Sequence, residues 1–233
     1  MHGYGTLYGI GVGPGDPELM TIKAQRIISE ARVIAVPGEK KEETMAYQIA
    51  SQVIEHLDEK NCLELKAPMT KEKKTLDAVY SESAREIGTY LRKGLDVAFL
   101  TLGDPTVYST YMYLHKKVQE LGFPVQIISG VTSFCAAAAR MNLSLAEQNQ
   151  QIHICPSCYD IKECLKEPGT KILMKSGSKI QDVKKELIDS AHEVVMVEKC
   201  GLKDEKIYQS AEEIDDDAGY FSLIIAKEKK THG

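Results

Sequence analysis

The chain has 233 residues, 43% of them hydrophobic, with 29 Lys and Arg against 34 Asp and Glu and a formal net charge of −5. That is apolar material for one large or two modest folded domains, and it argues against disorder. It gives no basic face of the kind nucleic-acid binding needs, since the dense charge runs at 71–74 and 227–230 mix signs and read as solvated surface. No apolar run approaches the ~20 residues that span a bilayer, and the first residues lack a basic stretch followed by an apolar one. A soluble, cytoplasmic protein without a membrane or nucleic-acid partner is expected.

In chain order, 6–12 reads as a strand, followed by a helical stretch opening at Asp16-Pro17-Glu18, with an N-cap residue, then Pro, then an acid. A second strand, 31–37, completes a β-α-β unit. Thr44 is placed to cap the next helix, on which Ala46, Ile49, Ala50, Val53, Ile54 and Leu57 form one apolar stripe. Strands follow at 62–65, 96–102 and 125–129, separated by helix-length segments at about 77–92 and 106–121. Five strands joined by helices imply a mainly parallel sheet.

Another helix is expected from Gly130 to about Met141, and the polar passage 142–151 marks a boundary, giving domains 1–143 and 144–233. Strands at 151–155, 171–174, 193–198, 205–208 and 220–226 build the second domain. The last three lie too close together for helical crossovers, so that sheet should be mixed, with hairpin pairing toward its end.

Six cysteines at 62, 135, 155, 158, 164 and 200 are too scattered for a stapled secreted framework, and reduced thiols are the default. His153 with Cys155-Pro-Ser-Cys158 could form half of a metal site or a redox pair, but nothing completes a tetrahedral set, so no protein-bound metal is expected. The glycines at 9, 11, 13 and 15 fit neither a dinucleotide fingerprint nor a phosphate loop. They read instead as a strand end that admits a close neighbour, or as part of a ligand edge.

Three polar turns follow strands of the first sheet: 13–17, 103–106 and 130–133. In a parallel sheet such turns share the carboxyl edge, where open α/β sheets bind ligands. They supply small residues, hydroxyls, backbone groups and one carboxylate, Asp104, which suits a polar, cationic ligand without phosphates. Taken alone, Asp104 also reads as a helix cap, Tyr108 as ordinary packing and Lys175 as a solvated lysine.

The segments Gly-Val-Gly-Pro-Gly-Asp-Pro-Glu-Leu-Met-Thr-Ile-Lys-Ala (11–24), Leu-Gly-Asp-Pro-Thr-Val-Tyr-Ser-Thr (102–110) and Ser-Gly-Val-Thr-Ser-Phe-Cys-Ala-Ala-Ala-Ala-Arg (129–140) resemble successive signatures of the tetrapyrrole methylases. The resemblance spans nearly the whole chain. It implies two α/β domains with S-adenosylmethionine (SAM) folded in the cleft between them, and a homodimer. Within the family, the continuation Pro-Thr-Val-Tyr-Ser-Thr and the Thr-Ser-Phe segment imply methyl transfer to carbon 20 of precorrin-2 or its cobalt form.

Carried over by position, the resemblance implies cofactor contacts from Pro14, from Gly103, Asp104, Val107 and Tyr108, and from Thr132 and Ser133. In the second domain it implies Lys175, Cys200 and Ser222, although Lys199-Cys200-Gly201 departs from the wider pattern. It names no general base. Lys40, Lys41, Lys66, Lys71, Lys73 and Lys74 are candidates to face the carboxylates of a tetrapyrrole, or are simply solvated. Sister methylases of the same fold, acting on another corrin position, on ribosomal RNA or on a diphthine precursor, remain alternatives. So does a non-enzymatic nucleotide-binding regulator.

Overall fold

The structure is a computed structural model describing residues 3–68, 70, 72–156 and 160–229, with the side chain of Ser178 also outside the description. Leu7–Gly11 (β1), Val33–Pro37 (β2), Asn61–Leu65 (β3), Val97–Thr101 (β4) and Val125–Ile128 (β5) form one sheet of order β3-β2-β4-β1-β5. Every pairing in it is parallel. The connecting helices are Ile22–Glu30 (α1), Met45–Ala50 (α2), Lys73–Leu91 (α3) and Tyr111–Glu120 (α4).

β4 shows why the sheet is buried on both faces. Its Ala98 and Leu100 pack with Ile28 of α1 and Ile49 of α2. Its Val97 and Phe99 pack with Ile87 and Leu91 of α3 and Leu114 of α4. Alternation along the strand thus feeds two separate cores, and a strand covered twice is apolar throughout. Gly9 of β1 provides the close packing expected of a glycine-rich strand, because a Cβ there would fall 2.0 Å from the ring of Tyr111.

Several boundaries differ from the sequence expectation. Asp16 accepts the Glu18 N–H and caps only a single 3₁₀ turn; α1 starts after Thr21, whose Oγ1 accepts the Ala24 N–H at 3.2 Å. Thr44 takes the expected N-cap position of α2, its carbonyl accepting the Gln48 N–H at 3.0 Å, but its hydroxyl makes no cap bond and donates to Lys41 O. α2 stops at Ala50; Ile54 and Leu57 stay buried in the turns that follow, while Val53, expected on the same stripe, is exposed because the helix has ended before it.

In the remainder of the chain, Ser133–Arg140 (α5), Ile152–Pro156 (β6), Ile161–Lys166 (α6), Thr170–Met174 (β7), Ile180–Ile188 (α7), His192–Glu198 (β8), Lys206–Tyr208 (β9) and Ser222–Glu228 (β10) follow in order. The second sheet runs β6-β7-β10-β8-β9, with β6 and β7 parallel and the other pairings antiparallel. The mixed sheet and a β8–β9 pairing agree with expectation. β10 does not pair with β9 but enters between β7 and β8, where its Leu223 to Ala226 are all buried.

By contacts the chain groups into residues 1–132 and 133–233. The expected boundary stood after 143; α5 groups with the second unit because Ala137 and Ala138 share a core with Ile172, Val197, Leu223 and Ile225. Among the described residues no helix is long and apolar enough to cross a membrane.

One expectation is corrected outright. Cys155 of β6 is bonded to Cys164 of α6, so it is neither a reduced thiol nor available as a metal ligand beside His153. Cys62, Cys135 and Cys200 are outside any disulfide. Cys158, like Lys71, lies outside the described residues.

Candidate functional site

Parallel crossovers place the carboxyl ends of β1, β4 and β5 side by side, so the three turns expected at that edge meet there. Gly13 and Gly103 exchange backbone hydrogen bonds, Gly103 N to Gly13 O at 2.7 Å and the reverse at 3.3 Å. A Cβ on Gly11 would fall 2.4 Å from Gly103 O, and one on Gly130 would fall 2.1 Å from the same oxygen. The turns touch through backbone, which only glycine permits. Gly103 has φ +68, and the position its Cβ would take has no atom within 4 Å. That side of the turn is an open cradle.

Asp104 fastens the arrangement. It is 7% exposed; one oxygen accepts the Thr106 N–H at 2.8 Å and the Thr106 hydroxyl, and the other accepts the Gly130 N–H at 3.0 Å. The carboxylate therefore closes an Asx turn and ties the β4 loop to the β5 loop. It also keeps 105–110 out of the helix expected from 106, and α4 begins only at Tyr111. Ser109 Oγ accepts the Tyr111 N–H at 3.2 Å and lies 3.0 Å from Thr101 Oγ1, anchoring the far end of the loop.

Within this loop Val107 is half-buried, and Tyr108 is 46% exposed with a left-handed φ of +50. Such a backbone costs a bulky residue of order 1–2 kcal/mol and persists where surroundings impose it, often at ligand sites. Pro14 is half-buried on the first turn. Thr132, on the third, keeps Oγ1 buried without a hydrogen-bond partner. A buried hydroxyl is stabilised by a polar partner, which an ordered water or a ligand group can supply.

Beside these turns, a cavity of about 400 Å³ opens at the carboxyl ends of β2 and β4, lined by Pro37, Lys40, Thr44, Met45, Thr101 and Leu102 among others. Lys40 there pairs with Glu43 at 2.8 Å on the surface. Lys41 lies 5.4 Å over the Tyr47 ring, while Lys66, Lys73 and Lys74 are exposed.

In the second unit, the register brings Lys175, Cys200 and Ser222 to one sheet edge: Ser222 pairs with Glu198, and Leu223 with Met174. Lys175 and Lys199 each take a left-handed φ, +60 and +53, as the chain leaves β7 and β8. Ser222 is 4% exposed and donates its hydroxyl to Gly219 O at 2.7 Å, while buried Glu198 accepts the Gly219 N–H at 2.8 Å. Lys199 N donates to Phe221 O at 2.9 Å. Ser133 is half-buried at the start of α5. Ser176, which sequence reasoning did not single out, is 1% exposed with an unpartnered Oγ. Its signal was the polar Lys175-Ser176-Gly177 turn that ends an apolar strand.

Residues 6–215 match the model of the family described as Tetrapyrrole (Corrin/Porphyrin) Methylases. The chain belongs to that family. Among curated relatives, a Methanocaldococcus jannaschii protein named a probable cobalt-precorrin-2 C(20)-methyltransferase is 34% identical over 96% of each chain. The cobalt-precorrin-2 C(20)-methyltransferase of Salmonella typhimurium is 30% identical over 97% of each. Among solved structures, a cobalt precorrin-4 methyltransferase matches with a TM-score of 0.77 and 25% identity, covering 95% of this chain and 94% of that one. The methylase thus carries its first two signatures, and the start of the third, on the glycine-lined turns of its first unit, the third running on into α5.

Proposed function

We propose that the protein is a SAM-dependent C-methyltransferase that methylates carbon 20 of precorrin-2 or its cobalt form during corrin-ring synthesis. The observation that carries this reading is the full-length match to two relatives with that activity in their names, at 34% and 30% identity. The site geometry supports it. The Gly103 cradle, the strained Tyr108 and the unpaired Thr132 hydroxyl stand together at the edge where the signatures lie, and they suit a polar, phosphate-free ligand.

SAM supplies a methyl group already activated on a sulfonium, so the protein needs chiefly to bind, orient and exclude water. Pro14, Gly103, Val107, Tyr108 and Thr132 would hold it at the carboxyl edge of the first sheet, and Ser133, Lys175, Cys200 and Ser222 are the further contacts that the family resemblance implies. Asp104 has both carboxylate oxygens committed to Thr106 and Gly130, so its part in this reading is to fix the cradle. The cavity beside the turns is lined by Lys40 and Thr44 but also by Glu39 and Glu43, so a carboxylate-bearing edge of the ring would enter it only by drawing Lys40 away from its pair with Glu43. A homodimer in the cytoplasm completes the reading.

Incubating the protein with methyl-labelled SAM and precorrin-2, with and without cobalt, tests it. One methyl gained, located at carbon 20 by NMR, is the expected result. No transfer to either ring, or transfer to another carbon, overturns the assignment. Comparison of the two rates identifies the form used.

A further inference from the structure

In the second unit the Cys155–Cys164 disulfide forms part of the wall of a cavity of about 190 Å³, with Cys164 packed in a hydrophobic cluster and Cys155 at that cluster's margin. Cys155 is half-buried and Cys164 is 8% exposed, so Cys155 is the less buried of the two residues. Ser176 lines the same cavity, 1% exposed and with no partner for its hydroxyl. A desolvated hydroxyl gains from any polar group brought against it, which favours a polar end on whatever occupies the cavity. Asp160, Asp182 and Lys179 also line it, two carboxylates against one ammonium. The remaining wall, from Leu173 and Val183 among others, is apolar and suits a short alkyl chain.

We propose that this cavity is a thiol–disulfide exchange site for a small cationic aminothiol. Its thiolate attacks Cys155 Sγ, forming a mixed disulfide there, and the bond to Cys164 breaks. Cys164 leaves as a thiolate and takes up the proton that the incoming thiol lost. One S–S bond forms as one breaks, so no external oxidant or reductant is needed. The ammonium of the ligand faces Asp160 and Asp182, and Ser176 Oγ gains a polar neighbour. The modified strand β6 pairs with β7 through Cys155↔Leu173 and Pro156↔Met174, so the adduct sits opposite Leu173, two residues before Lys175.

The test uses the full chain, isolated in air, and three probes: 2-aminoethanethiol, 2-mercaptoethanol and 3-mercaptopropionate. Loss of the internal disulfide and gain of the adduct are followed by intact mass, and peptide mapping locates the adduct. Each rate is divided by that thiol's rate with 2-hydroxyethyl disulfide, which removes differences in thiolate fraction and nucleophilicity. The cationic thiol should exceed the neutral one by about fivefold, the factor for one charge pair at ~4 Å in water, and the advantage should shrink with salt. Asp182→Asn should reduce the preference and Lys179→Gln should raise it; Ser176→Ala should slow the aminothiol alone. Normalised rates that ignore charge, an adduct on Cys164, or protein isolated without the disulfide would each overturn the proposal. The two charge variants replace exposed side chains and keep the test decisive if Ser176→Ala fails to fold.

Discussion

Asp104 accepts the Gly130 N–H at 3.0 Å, a single hydrogen bond that joins two turns 26 residues apart. The same carboxylate holds Thr106, so its loss should loosen both turns together. Hydrogen bonds to charged groups contribute about 1.5–3 kcal/mol, so Asp104→Ala should lower the unfolding free energy read from urea titration by an amount in that range, with a matching fall in midpoint. S-adenosylhomocysteine affinity, read by titration calorimetry, should fall about tenfold or more, since each 1.4 kcal/mol of lost cradle geometry is tenfold. A midpoint and an affinity both equal to those of the native chain would show that the tie does not matter.

Gly130 and Gly103 should respond differently to the same added methyl. In Gly130→Ala the new Cβ would meet Gly103 O at 2.1 Å, a backbone atom that can yield only by separating the turns. In Gly103→Ala there is open space, and the cost is the left-handed φ alone, about 1–2 kcal/mol. Thermal melting should therefore rank Gly130→Ala well below Gly103→Ala, while cofactor affinity should fall in both, because the methyl at 103 enters the cradle. An Ala at 130 that melts like the native chain would remove the close-approach argument.

The wholly buried Lys171 donates to Gly169 O at 2.8 Å and lies 2.9 Å from His192 Nε2, with Glu228 at 3.8 Å. Burial first, then the charge of Lys171, holds the His192 pKa below its usual 6.5. The unfolded chain then binds more protons than the folded one just below pH 6.5, so stability falls as pH drops through that value toward the folded pKa. His192→Gln keeps an acceptor for Lys171 and removes the titration. Urea midpoints at pH 7.5 and 5.5 should draw closer in the variant than in the native chain. An equal spread in both would assign the acid sensitivity elsewhere.

Lys40 lines the cavity beside the glycine-lined turns, together with Glu39 and Glu43, and pairs with Glu43. If a ring carboxylate docks there, Lys40→Glu should raise KM for the tetrapyrrole several-fold while leaving KM for SAM and the melting temperature in place. A change confined to the SAM constant, or none, would move the substrate edge away from this cavity.

Much of this was legible because it rests on local signals. Strand ends at Gly11, Thr101 and Ile128 are written as apolar runs that stop at glycine, and parallel topology then brings their turns together. The unwound stretch 105–110 was not legible, because it depends on Asp104 choosing Thr106 and Gly130 as partners over capping a helix. The Cys155–Cys164 bond was hidden for a similar reason: spacing along the chain does not reveal that α6 folds back over β6. Ser176 carries no motif, and its burial comes only from the packing of the second sheet.

The central position of β10 has a consequence for how the chain is made. Before residues 222–228 emerge, the second sheet exists as two separate pairs, β6 with β7 and β8 with β9, with no strand to join them. The first sheet draws on nothing beyond Ile128 and can close far earlier. During synthesis, then, the cradle can be built while the second unit still waits for its keystone, and a ribosome-bound chain halted before 222 should protect the first unit from protease and leave the second open.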